Sequence, residues 1–299
     1  MAKVKKEKFW TDEQLQRRIN FVRFFMSVFG DNSFKKRKKT AGVEMYIKTP
    51  ERKVRVLTYN MDNPQRLPLY VNMHGGGFTL GNAEIDDPFM QDIACRANVK
   101  IISIDYHLAP EFPYPKAILE CYAVVKYAKN HPDEFGIDPD KIAVGGQSAG
   151  GNISSTICMM DFEKELEIKC LILDYPPLDL YTDAGLKPQP KGALPVFLCR
   201  LFDACYCNYK EDRKDPFISP AFAELDEISS FPPTLIITAS QDSLCEEGEQ
   251  FRDKLIEAGI EVTHKRFNAK HGFNLYPGAE ADESWQMIIN HLKRYLWEK

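Results

Sequence analysis

From residue 68 onward the chain alternates short apolar runs with helical patterns, and this alternation limits the fold more than any other feature. Leu69–Met73, Lys100–Ile104, Ile142–Val144, Cys170–Leu173 and Leu235–Thr238 are short, apolar and largely β-branched. Such runs suit strands buried on both faces. Helical patterns fall between them at about 87–97, 115–130, 149–161 and 246–258. Repeated β-then-α units predict a parallel sheet covered on both sides by helices. A last strand near 261–267 precedes a final helix over about 281–297, and upstream Val43–Ile47 and Val54–Tyr59 read as an antiparallel hairpin region.

Two segments stand outside this rhythm. Residues 12–30 predict a helix, with Thr11 as N-cap, apolar residues at Leu15, Ile19, Val22, Phe25, Met26 and Phe29, and Gly30 as its stop. The basic run Lys35, Lys36, Arg37, Lys38 and Lys39 follows and reads as a solvated surface loop. Segment 180–218 carries Pro188, Pro190 and Pro195, then an apolar stretch from Val196 to Cys207. It is longer than a simple connection and has its own apolar face, so it reads as an inserted lid. A chain of 299 residues, 44% hydrophobic, can fill one large core and still carry such an accessory piece.

The chemistry starts at Gly146-Gln147-Ser148-Ala149-Gly150, directly after the strand Ile142–Val144 and directly before a helix. A serine nucleophile on a G-x-S-x-G turn needs that strand-to-helix context, with flanking residues small enough for neighbouring chain to come close. The pentapeptide alone also fits a structural turn. Two other glycine-loop readings fail: a dinucleotide fingerprint would need glycine where Gln147 stands, and a phosphate-binding loop would need Lys and then Ser or Thr where Gly151 and Asn152 follow. A second glycine loop, His74-Gly75-Gly76-Gly77-Phe78, follows the strand Leu69–Met73. Its Gly75 and Gly76 amides, with that of Ala149, are candidates for an oxyanion hole. The alternative is a plain turn, and the His74 side chain is expected to be structural.

A serine hydroxyl is a poor nucleophile near neutral pH. It needs a neutral imidazole to take its proton and a carboxylate to hold that ring. Of the six histidines, three follow Ser148. His264 sits within a strand pattern and His291 within the last helix, whereas His271 sits in a loop past the final strand. His271 is therefore the candidate base. Asp242, in a loop past Leu235–Thr238, is the candidate acid, with Asp174 as runner-up. Glu246 and Glu247 read as residues that open the next helix and complement its dipole.

The four motifs occur together and in order: His74 through Phe78; Tyr106-His107-Leu108-Ala109-Pro110-Glu111; Gly146 through Asn152; and Asp242 through Gly248 with His271-Gly272-Phe273. Over roughly residues 55–299 this resembles the hormone-sensitive-lipase-like family of bacterial α/β-hydrolase esterases, which includes acetyl esterases. The resemblance implies a mostly parallel eight-stranded sheet flanked by helices, with a helical cap. It assigns Ser148, Asp242 and His271 to a catalytic triad and Gly75, Gly76 and Ala149 to the oxyanion hole. The expected layout is 1–40 as cap helix and basic loop, 41–179 as the first part of the core, 180–215 as cap insertion and 216–299 as the rest of the core. The chain departs from the family at Gln147 (usually Asp), His107 (usually Arg) and Ser243 (usually Pro). None is a triad member, so catalysis is expected to survive; the departures bear on the hydrogen bonding around the elbow, and through it on activity level and pH optimum.

The resulting expectation is a serine ester hydrolase for short, acetyl-type acyl esters, with acetylated sugars among the candidate substrates. Neither a metal nor an organic cofactor is expected. Phe78, Phe25 and Phe202 are expected to wall the substrate pocket. A peptidase or amidase with the same triad, and a silent small-molecule receptor on this scaffold, are the rival readings. A net charge of −4 does not suggest nucleic acid. No apolar stretch approaches a membrane span, and the first residues lack the apolar core of an export signal. The eight cysteines form no CxxC pair and read as reduced thiols, so a cytoplasmic location is expected. A homodimer remains open.

Overall fold

The structure is a computed structural model that describes residues 9–29, 39–50 and 52–298. The expected Gly30 stop and the basic residues from Lys35 to Lys38 lie outside the described residues. Eight strands form one sheet: β1 (Val43–Lys48), β2 (Lys53–Tyr59), β3 (Leu67–Met73), β4 (Lys100–Ile104), β5 (Ile137–Gln147), β6 (Cys170–Asp174), β7 (Thr234–Gln241) and β8 (Val262–Lys270). Their order is β1-β2-β4-β3-β5-β6-β7-β8. β2 runs antiparallel to both β1 and β4, and all later pairs are parallel.

The helices are α1 (Asp12–Phe29), α2 (Asp87–Ala97), α3 (Lys116–Asn130), α4 (Pro132–Phe135), α5 (Ala149–Met160), α6 (Val196–Tyr206), α7 (Leu225–Ile228), α8 (Cys245–Glu257) and α9 (Ala279–Trp297). β3, β4 and β6 are buried at every position, which is why their sequences run apolar without alternation. One sheet face packs against α3, α5 and α8 through residues such as Val124, Ile153 and Phe251. The other packs against α2 and α9 through Met90, Ile93, Trp285 and Leu292. No described helix is long and apolar enough to cross a membrane.

The strand order places the site. The chain leaves β3, crosses one face to β4, then returns across the opposite face to β5, on the far side of β3. Loops at the C-terminal ends of two such neighbouring strands diverge and leave a crevice between them. Met73, the last residue of β3, pairs with Gly146 of β5, so the two glycine loops leave the sheet side by side.

α1 and α6 form a separate layer. Thr11 caps α1: its Oγ1 accepts the Gln14 amide at 3.2 Å and the Gln14 side chain accepts the Thr11 amide at 2.9 Å. Leu15 and Ile19 of α1 then pack against Leu201, Phe202 and Cys205 of α6. The α1 helix is fixed to the core by Arg23. Its guanidinium donates to the Thr79 carbonyl at 3.1 Å and the Ala109 carbonyl at 2.9 Å, and pairs with Glu111 at 2.5 Å.

Candidate active site

β5 ends at Gln147 and α5 begins at Ala149, leaving Ser148 alone to turn the chain. Its φ of 50° and ψ of −120° are strained for a residue with a side chain. The Ser148 amide donates to the Asp174 carbonyl at 2.8 Å, which holds the turn against β6. The tightness of the turn explains the glycines around it. A Cβ on Gly150 would lie 1.9 Å from the Met73 carbonyl oxygen, and one on Gly146 would lie 2.1 Å from the same atom. Both obstructions are backbone and cannot rotate away. Gly150→Ala is therefore expected to cost about 3 kcal/mol of stability, read as a lowered urea midpoint; an unchanged midpoint would contradict this packing.

His271 follows β8 and Asp242 follows β7, so both reach the same rim of the sheet as Ser148. His271 Nε2 stands 2.9 Å from Ser148 Oγ, and His271 Nδ1 stands 2.6 Å from Asp242 Oδ2. A carboxylate can only accept, so Nδ1 carries the ring proton and Nε2 is left to accept from the serine hydroxyl. The Asp242 side chain is 1% exposed, and its other oxygen accepts the Leu244 amide at 3.1 Å. Burial lowers the His271 pKa, but the Asp242 charge and hydrogen bond outweigh it, and the net shift is upward.

The other candidates fall elsewhere. Asp174 is fully buried and makes no hydrogen bond to His271; Asn274 Nδ2 donates to its Oδ2 at 2.6 Å, and burial pushes its carboxyl up to about 7. His264 bonds Thr238 Oγ1 at 3.0 Å on β7, and His291 is buried in α9. The His74 ring is fully buried and stacks on Tyr106 at 4.2 Å, with burial lowering its pKa. His107 turns to the buried Glu120, which also accepts from Arg52 at 2.6 Å.

The loop after β3 faces the nucleophile. A Cβ on Gly75 would lie 3.2 Å from the Gln147 carbonyl and 3.5 Å from Ser148 Cβ. Gly76 has a φ of +121°, and its carbonyl accepts the Leu80 amide at 2.9 Å, which folds the loop back on itself. Among the described residues, the amides of Gly75, Gly76 and Ala149 have no hydrogen-bond acceptor. An anion cradle requires such uncommitted donors, and the N-terminus of α5 adds its dipole.

Ser148, His271, Gly75 and Gly76 line a cleft of about 240 Å³. Its remaining wall comes from α1 and α6. Phe202 of α6 lies across Gly77, where a Cβ would come within 2.3 Å of the ring. Phe78 lines the cleft and stacks on Tyr206 at 3.8 Å. Phe25 is a correction to the sequence reading. It is 49% exposed and outside the lining, where Val22 and Met26 take its place. Residues 15, 19, 22 and 26 form one stripe of α1, and position 25 sits roughly 80° round the helix from its start. That spacing was the available signal.

Glu247 also departs from expectation. Its side chain does not merely complement a helix dipole; it is buried, accepts the Leu178 amide at 2.7 Å and pairs with Lys187 at 2.5 Å. A larger groove of about 800 Å³, between the start of α1 and residues 205–215, contains no triad residue.

A family model described as alpha/beta hydrolase fold matches residues 70–275 of the chain. An arylesterase of Saccharolobus solfataricus is 30% identical over 236 residues, which is 77% of this chain and 76% of that protein. The carboxylic ester hydrolase LipN of Mycobacterium tuberculosis is 35% identical over 245 residues, 77% of this chain and 64% of that longer protein. Among solved structures, the carboxylesterase EstE1 from a metagenomic library superposes with a TM-score of 0.78 at 28% identity, covering 96% of this chain and 98% of that one.

Proposed function

The chain belongs to the α/β-hydrolase fold family and is a carboxylic-ester hydrolase, and from that premise we propose that it cleaves esters of short acyl groups through an acyl-Ser148 intermediate. The observation that carries the mechanism is the unbroken relay from Ser148 Oγ to His271 at 2.9 Å and from His271 to Asp242 at 2.6 Å.

Ser148 Oγ attacks the ester carbonyl while His271 Nε2 takes its proton. The carbonyl oxygen becomes an oxyanion and rests on the amides of Gly75, Gly76 and Ala149. Asp242 stabilises the imidazolium. His271 then protonates the departing alcohol, and water attacks the acyl-serine by the same route in reverse.

The preference for short acyl groups is supported by the size of the cleft. At about 240 Å³ it is smaller than pockets for drug-sized ligands, which begin at about 300 Å³. Acetylated sugars or other small acetylated metabolites fit the same reading. A series of p-nitrophenyl esters, run beside acetylated oligosaccharides, tests it. kcat/KM is expected to peak between acetyl and butyryl and to fall about tenfold or more by decanoyl, as a long chain outgrows the cleft that Val22, Met26, Leu198 and Phe202 help to line. Equal turnover of decanoyl and acetyl esters would refute the preference.

A further inference from the structure

The wall of the catalytic cleft is mostly apolar, but α6 brings Asp203 into it beside Lys187 and Asp179. The partners of these charges can be followed one at a time. The Lys187 ammonium donates to Glu247 Oε2 and to the Asp179 carbonyl, both at 2.5 Å. Glu247 Oε1 accepts the amides of Leu178 and Asp179. Asp179 Oδ1 accepts the amides of Tyr181 and Thr182 at 3.0 and 2.8 Å. The Arg213 guanidinium, close enough to act on Asp203, donates to the carbonyls of Cys207 and Leu180.

Asp203 alone is left over. Its carboxylate has neither a hydrogen bond nor an ion pair among the described residues, and the residue is half-buried in the wall of the cleft. Burial pushes its carboxyl up to about 7, with Glu247 and Asp179 adding to the shift and Lys187 and Arg213 opposing it. A half-buried carboxylate without a protein donor leaves its charge only partly met. When it faces a cleft, the natural source of the missing partner is the molecule that enters.

We propose that Asp203 is a specificity-determining carboxylate that receives an ammonium group of the ester substrate. This rests on the ester-hydrolase reading and names a substrate class for the same site. Charge balance favours a cation over a neutral hydroxyl: the three carboxylates of Asp203, Asp179 and Glu247 outnumber the two cations near them, Lys187 and Arg213. The surroundings suit an alkylated ammonium, because Phe202, Leu198 and Cys199 offer apolar and aromatic surface beside the carboxylate.

The ammonium can belong to either half of the ester, and two matched pairs distinguish them. Acetylcholine against 3,3-dimethylbutyl acetate places the charge on the alcohol. p-Nitrophenyl 4-(trimethylammonio)butanoate against p-nitrophenyl 5,5-dimethylhexanoate places it on the acyl group. In one pair, kcat/KM for the cationic ester is expected to exceed that of its neutral isostere about tenfold or more. Asp203→Asn is expected to bring this ratio close to one, and Asp203→Ser supplies the same comparison if the first variant folds poorly. A purely structural role would lower both members together and leave the ratio intact, which would overturn the assignment. So would a wild-type ratio of one or less in both pairs. If p-nitrophenyl acetate is hydrolysed while both ratios stay at or below one, only this inference falls. If no ester is hydrolysed, the hydrolase reading falls and takes it along.

Discussion

Ser148→Ala is expected to lower kcat for p-nitrophenyl acetate about a millionfold, with no change in melting temperature. The serine makes one functional contact, its hydroxyl to His271 Nε2. Removing one oxygen deletes the atom that forms the acyl bond. His271, Asp242 and the glycine amides remain, so the residual rate is what binding and an anion cradle supply without a nucleophile. The fold should not notice the change, because the amide bond to the Asp174 carbonyl is made by backbone and survives. Burst kinetics and labelling by a fluorophosphonate should disappear together. Retention of either would mean that another residue carries the acyl group.

The second large effect is expected at the buried carboxylate. Asp242→Asn should reduce kcat/KM about ten-thousandfold, because an amide can donate to the imidazole and trap it with the proton on the wrong nitrogen. The pH profile separates this from simple damage. Only neutral His271 can accept the serine proton, so kcat/KM in the wild type climbs as pH rises through the His271 pKa. Burial works against the charged ring, but Asp242 prevails and moves that pKa up. The climb is therefore expected to be centred above the ordinary histidine value of about 6.5. Removing the Asp242 charge leaves burial in control, so the midpoint of the residual activity moves down. A variant profile centred at the same pH as the wild type would show that the carboxylate does not tune the ring.

The three residues of the hydrogen-bonded relay could be read from sequence because each sits immediately after a strand, and strands buried on both faces announce themselves as unbroken apolar runs. β4 matched its expected limits for that reason. Several strands ran longer than their composition suggested, β5 and β8 among them. β5 starts at Ile137, but its early pairing with β3 is irregular and passes through polar residues from Asp138 to Lys141. β8 is an edge strand with partners on one side, and it continues through Asn268 to Lys270, where no apolar run marks it. The cleft wall was less legible. Phe25 and Val22 both fit a loose helical pattern, and only the stricter stripe through Leu15 and Ile19, the face that packs on α6, picks out Val22. The charges around Asp203 were invisible, because Asp179, Lys187, Asp203 and Glu247 come from separate stretches whose spacing carries no signal. Glu247 illustrates the difficulty: its place in the first turn of α8 fits a dipole partner, yet its side chain turns into the interior to meet Lys187.

The Arg23 guanidinium joins two jobs that most descriptions of such a molecule keep apart. Its acceptors at Thr79 and Ala109, and its partner Glu111, belong to the polypeptide that carries the tripled glycines and to the neighbouring loop. The roof helix and the floor beneath the reacting carbonyl are thereby one mechanical unit. Lifting the roof would strip two carbonyls and a carboxylate of their donors at once, so the shape of the entrance and the rigidity of the anion's seat must be tuned together.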